Sequence, residues 1–188
     1  MSPPLPDWVP LALGVAMAVE EVTSLGPRRP EATQADRGSK HLIVWLTAAG
    51  FGLAFFSWRR LAGVVPFPHL LTWAGIAVTL LGIALRQWAI FTLGRFFTRT
   101  VQVSGDQPVV DRGPYRLLRH PSYSGALLGA LGVGFALGNL PCLLLVVLPM
   151  AVGLGVRIRV EERALLSAIG EPYRAYMKRS WRLVPFVL

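Results

Sequence analysis

The 188-residue chain is 53% hydrophobic and only 15% charged, with a formal net charge of +9 and a mean hydropathy of +0.50. Soluble domains carry roughly a quarter charged residues, so lipid is the expected solvent, and the length suits about four to six membrane spans with short loops. The positive charge does not point to nucleic acid, because the arginines stand between apolar runs instead of on one basic face.

The first apolar run is Trp8 to Val19, closed by Glu20 and Glu21. About twelve helical residues rise only about 18 Å, so a crossing helix has to carry both glutamates to the interface and end near Leu25. Met1 to Pro10 has no positive n-region, so no cleaved signal peptide is expected. Gly26 to Lys40 is rich in proline and arginine and reads as an aqueous loop. The second span is expected over 41–58, closed by Arg59 and Arg60, and the third over 70–93. Arg86 and Gln87 lie in the last third of that span, where a charge must face the bundle, snorkel or line a wet cavity. Residues 94–121 are polar and broken by Gly105, Pro108, Gly113, Pro114 and Pro121.

The fourth span is expected over 122–138, with glycines at 125, 129, 132, 134 and 138 that allow close helix approach in lipid. Asn139-Leu140-Pro141 leaves room only for a turn before the fifth span, 143–156, which Pro149 is expected to bend. Cys142, the single cysteine, excludes an intramolecular disulfide and reads as a small buried hydrophobe. The tail, 157–188, continues as a helix to a cap at Gly170, then a short helix from Pro172 to Lys178. Tyr173, Tyr176 and Trp181 fit an interfacial aromatic belt. The expected fold is therefore all-α: one polytopic membrane domain, 1–188, of about five spans with a helical tail. Five spans put the loops at 26–40 and 94–121 and the tail on one side, and those segments carry nearly all the positive charge. That side is expected to be cytoplasmic, with Arg59 and Arg60 as exceptions on the other.

The chemistry concentrates in Arg112 to Gly125, where Tyr115, Arg119, His120 and Tyr123 fall within nine positions of a proline-shaped loop. On the tail helix Arg157 and Glu161 are four apart and share a face, while Glu162 points elsewhere. On spacing alone that pair reads equally as a surface ion pair or as a functional one, and its emergence beside the basic loop favours function. A lone His120 before proline is more often structural than catalytic, and nothing stands near it at metal-ligand spacing, so no metal site is expected. There is no serine nucleophile elbow, P-loop or dinucleotide fingerprint.

Several blocks resemble one family. They are Leu85-Arg-Gln-Trp-Ala89, Thr92-Leu-Gly94, Gly113-Pro-Tyr115, Arg119-His-Pro-Ser-Tyr-Ser-Gly125, Arg157-x-x-x-Glu161-Glu162, Gly170-Glu-x-Tyr-x-x-Tyr176 and Arg182-Leu-Val-Pro185. Over roughly residues 85–186 the chain closely resembles the isoprenylcysteine carboxyl methyltransferases, integral membrane enzymes. The resemblance implies a helical membrane methyltransferase using S-adenosylmethionine, with the pocket on the cytoplasmic side. It implies cofactor contacts at Gln102, Gln107, Pro108, Val109, Val110, Tyr115, His120, Pro121, Ser122, Tyr123 and Glu161, and a substrate-binding arginine at Arg157. Arg157 and Glu161 are the expected catalytic pair. The chain departs from the family at 107–110, which often read His-x-Leu-Val; the departure touches only the side-chain role of Gln107.

The residue types agree with that cofactor, which presents a sulfonium, an ammonium, a carboxylate, hydroxyls and an adenine. Glu161, His120 with Arg119, and Tyr115 with Tyr123 supply a carboxylate, donors and aromatic faces. A carboxylate acceptor needs no base but needs a cation, as Arg157 offers; an amine acceptor would need a base that is not evident. The expected acceptor is a lipophilic or prenylated molecule entering from the bilayer, a prenylated cysteine carboxylate above all. The expected location is the inner membrane, if the host is bacterial, with the site facing the cytoplasm. A phospholipid amine or small thiol acceptor, and a non-catalytic membrane scaffold or small transporter, stay open as alternatives.

Overall fold

A computed structural model describes residues 5–23, 33–34, 38–94, 97, 102–103 and 109–186; side chains are outside the description at 20–23, 33–34, 39–40 and 102–103. Six α-helices form among the described residues: α1 Trp8–Thr23, α2 Ser39–Leu61, α3 His69–Leu93, α4 Pro121–Ala136, α5 Leu140–Ile169 and α6 Glu171–Arg179. Two short strands, β1 Thr33–Gln34 and β2 Gln102–Val103, pair antiparallel with Thr33 opposite Val103.

Each expected span has a helix, with different lengths; residues 24 and 25 of the first lie outside the described residues, and 137 and 138 of the fourth form a turn. Residues His41–Leu61 of α2, all of α3 and all of α5 are long and apolar enough to cross a bilayer. Helices α1 and α4 have 16 residues each and rise about 24 Å, less than the roughly 30 Å of a hydrocarbon core. The span expected at 143–156 and the tail helix after it are one continuous α5 of 30 residues, with Pro149 inside it.

The connections sort to two ends. At one, Phe67 N–H donates to Gly138 O (2.8 Å) and Leu140 N–H to Val65 O (3.1 Å), so the α2–α3 link meets the α4–α5 turn. At the other, β1 from the α1–α2 link meets β2 from the α3–α4 link. Arg59 in the last turn of α2 pairs with Asp7 just ahead of α1, which sets these two helices antiparallel.

The α4–α5 turn is built by its residues. Gly138 takes a left-handed φ of 78°; Asn139 then caps α5, its Oδ1 accepting from Cys142 N–H at 2.9 Å. Cys142 is fully buried, with its thiol 3.7 Å from Ala54 O.

Helices α3 and α4 meet backbone to backbone. Added to Gly82, a Cβ would lie 2.3 Å from Gly129 N; added to Gly132, 2.4 Å from Thr79 N; added to Gly125, 2.6 Å from Arg86 N. Lipid gives no hydrophobic drive between helices, so this contact stands on close packing of small residues. Helix α5 closes on α2 in the same way, where a Cβ at Gly50 would meet Leu145 O at 2.4 Å. Leu5, Val9 and Leu13 bring the start of α1 into the shared core with Val133, Leu137, Val146 and Leu154.

A candidate active site at the polar end of the bundle

The site forms where α4 begins and α5 leaves its apolar stretch. A 3-10 turn, Gly113–Arg116, leads through Arg119 and His120 to Pro121, which opens α4, a position where its missing N–H costs nothing. Tyr123 follows one turn above His120, and their rings stack with centroids 5.5 Å apart and planes 6° off parallel.

Three residues of α5 reach this turn, Arg157, Glu161 and Glu162. The Tyr123 hydroxyl donates to Glu161 Oε2 at 2.7 Å and accepts from Arg157 Nε at 2.9 Å. Arg157 is buried at 5% exposure, whereas the Glu161 side chain keeps 30% and can be reached by a ligand. The expected pair is thus brought together through a tyrosine, with His120 Nδ1 3.9 Å from the same Glu161 oxygen.

Glu162 points away from Arg157, as expected, and into the protein, where its side chain keeps 7% exposure. Its Oε1 accepts from Arg119 Nε at 3.0 Å and from Arg182 Nε at 3.2 Å, and faces His120 Nε2 at 3.4 Å. Its Oε2 accepts from Arg182 Nη2 at 2.8 Å. Arg119, expected to serve the ligand, is instead a tie: it also donates to Met177 O at 3.0 Å and to Ser180 O. The Glu-Glu doublet was visible in the sequence. What was not visible is that the segment after α6 returns to this spot.

That segment runs beside the turn like a strap. Trp181 N–H donates to Leu117 O at 2.8 Å, Arg119 N–H to Trp181 O at 2.7 Å, and His120 N–H to Arg182 O at 3.2 Å. Ser124 Oγ donates to Leu183 O at 2.6 Å. Tyr173 and Tyr176 are buried at 4% and 3%, so they are not the interfacial belt that their spacing suggested. The Tyr176 hydroxyl donates to Tyr115 O at 2.7 Å and Leu118 O at 3.1 Å, pinning the 3-10 turn. Arg86 resolves its three alternatives by facing the bundle: it is buried, and its Nη1 donates to Ser122 O at 3.2 Å.

The phenols near the site stay protonated at neutral pH. Burial pushes Tyr115 well above the ordinary phenol range, with the Glu161 carboxylate adding to it. Burial also pushes Tyr176 up to about 12. Neither is a base for a proton at neutral pH.

Of the other expected contacts, Pro121 and Ser122 are buried in the first turn of α4, and Val109 and Val110 are half-buried ahead of the 3-10 turn. Gln107 and Pro108 lie outside the described residues, and Gln102 is described only as backbone of β2.

Fold and site together define a helical membrane protein with a charged, aromatic cluster where its helices leave the apolar layer. A family model described as the isoprenylcysteine carboxyl methyltransferase (ICMT) family matches residues 75–167. Protein-S-isoprenylcysteine O-methyltransferase B of Arabidopsis thaliana is 33% identical over 134 residues, covering 68% of each chain. The protein-S-isoprenylcysteine O-methyltransferase of Tribolium castaneum is 36% identical over 121 residues, 63% of this chain and 43% of that one. The solved structure of a eukaryotic intramembrane Ras methyltransferase superposes with a TM-score of 0.61 at 26% identity, covering 95% of this chain and 62% of that one. This chain belongs to the isoprenylcysteine carboxyl methyltransferase family. It spans less than half the length of the beetle relative and under two thirds of the solved one.

Proposed function

We propose that this protein is an integral membrane methyltransferase that moves a methyl group from S-adenosylmethionine to the carboxylate of a lipophilic acceptor, such as a prenylated cysteine. The observation that carries the reading is the Arg157–Tyr123–Glu161 array at the head of α4, in a chain whose relatives are named for that chemistry.

The side chains fit the two ligands. When bound, S-adenosylmethionine supplies an electrophilic methyl on a sulfonium, open to in-line displacement with S-adenosylhomocysteine as the leaving thioether. Glu161 offers a reachable carboxylate to its cationic groups, and Tyr115, His120 and Tyr123 offer aromatic faces and polar edges. Pro121, Ser122, Val109 and Val110, with Gln102, Gln107 and Pro108, complete the proposed cofactor contacts. Arg157 holds the acceptor carboxylate, where a guanidinium in a poorly hydrated place makes its strongest pairs. Because that acceptor is already ionised, no base has to be found, in keeping with phenols held protonated around the turn. Alignment of the acceptor oxygen with the methyl carbon then supplies most of the rate.

The acceptor enters laterally from the bilayer, and the site faces the cytoplasm, on the side where the loops and tail carry nearly all the positive charge. In a bacterium that places the protein in the inner membrane. Calorimetric titration of S-adenosylhomocysteine into the detergent-purified protein, followed by transfer of labelled methyl to a prenylated cysteine, tests both halves. Absence of binding overturns the methyltransferase assignment. Binding with label appearing only in lipid amines or small thiols overturns the carboxylate acceptor.

A further inference from the structure

Glu162 is a buried carboxylate that the proposed reaction does not use. Its side chain is closed to solvent, yet three groups from two separate segments converge on it: Arg119 and His120 from the turn before α4, and Arg182 from the strap after α6. Two guanidiniums keep such a carboxylate ionised, and an ionised carboxylate only accepts. The His120 nitrogen that faces it at 3.4 Å, Nε2, is therefore the one that carries hydrogen in the neutral ring.

In the neutral ring the other nitrogen is then an acceptor. Nδ1 lies 3.9 Å from Glu161 Oε2, the partly exposed oxygen that also accepts the hydrogen bond of the Tyr123 hydroxyl. The groups around the ring are Glu161 and Glu162 on α5, Arg119 on its own segment, and Tyr123 stacked on its face. We propose that Glu162 is a positioning residue: by holding Nε2–H it commits His120 to one tautomer and turns Nδ1, as a second acceptor beside Glu161, toward the bound methyl donor. The Nε2–H assignment rests on the shorter of the two carboxylate contacts of the ring; its consequence for binding rests on the proposed function.

The test begins without any ligand. In protein labelled with 15N-histidine, His120 is one of three histidines, and its signals are assigned by their loss in His120→Gln. Near neutral pH the expected signature is an Nε2–H, Nδ1-unprotonated ring. An Nδ1–H ring or a doubly protonated one overturns the proposal, whether or not the protein binds S-adenosylhomocysteine. In Glu162→Gln the expected result is a mixed or reversed tautomer, with S-adenosylhomocysteine affinity lowered about tenfold, the scale of losing an outer partner of a ligand-binding histidine. Arg182→Ala, which removes a strap contact but leaves the carboxylate beside Nε2, is expected to keep the wild-type tautomer. An unchanged tautomer and affinity in Glu162→Gln would sink the idea. If Glu162→Gln does not fold, the wild-type and Arg182→Ala spectra still decide it. Lack of binding by the wild type would remove the proposed function instead, leaving the tautomer result to stand.

Discussion

One phenol links two charged residues of α5: Arg157 donates to the Tyr123 hydroxyl, which donates to Glu161. The division of labour between them is testable by substitution. Arg157→Ala is expected to lower kcat/KM for the acceptor by about 10- to 100-fold, the scale of a lost charge-assisted hydrogen bond of about 1.5–3 kcal/mol, with S-adenosylhomocysteine affinity nearly intact. Glu161→Gln should do the reverse, weakening S-adenosylhomocysteine about tenfold in calorimetry. Loss of cofactor affinity in Arg157→Ala would show that the roles are misassigned. Tyr123→Phe removes a partner from both, so both affinities should fall together; a change in only one would break the proposed bridge. Glu161 and Arg157 could be paired from their spacing of four. Glu162 could not be placed, because its partner Arg182 lies twenty residues on and returns only after α6.

At the level of elements, the seam between α3 and α4 sets where the site's first turn sits, since Arg86 and Gly125 meet at its polar end. Gly82→Ala inserts a Cβ 2.3 Å from the Gly129 backbone nitrogen, and neither backbone can retreat as a side-chain tip can. It is expected to cost about 1–3 kcal/mol, seen as a lower melting temperature in detergent. Gly52→Ala is the matched control, because nothing lies within 4 Å of its Cβ and alanine favours a helix interior. Equal melting temperatures for the two variants would contradict a backbone seam at α3–α4. The stripe of glycines was legible in the sequence as a packing feature. Which helix it packs on was not, because small residues specify close approach without naming a partner.

For the whole molecule, alternation of the helix ends puts Asp7 and Lys178 at opposite ends of the bundle. Native Cys142 is fully buried, so the unaltered chain should not react with a membrane-impermeant thiol reagent in intact cells. A cysteine at Asp7 is expected to react in intact cells, and one at Lys178 only after permeabilisation. The opposite pattern would invert the topology, and with it the cytoplasmic placement of the site.

The solvent, the helical class, the helix-bearing stretches and the blocks that carry the family likeness are all legible in the order of residues. Those are local properties: apolar run length, charge between runs, prolines and glycines at breaks, residue types at fixed spacing. That order also places Arg157 and Glu161 on one face, since helical period alone fixes that. What joins them depends on the folded molecule. The Tyr123 bridge, the burial of Tyr173 and Tyr176, the turning of Arg86 into the bundle and the closure of the strap over Arg119 all depend on long-range approach. Such approach is set by which backbones can touch in lipid, and no short-range pattern records it. The turn from Arg119 to Tyr123 stood out in the chain by its residues; its working geometry comes from Glu162 and the strap behind it.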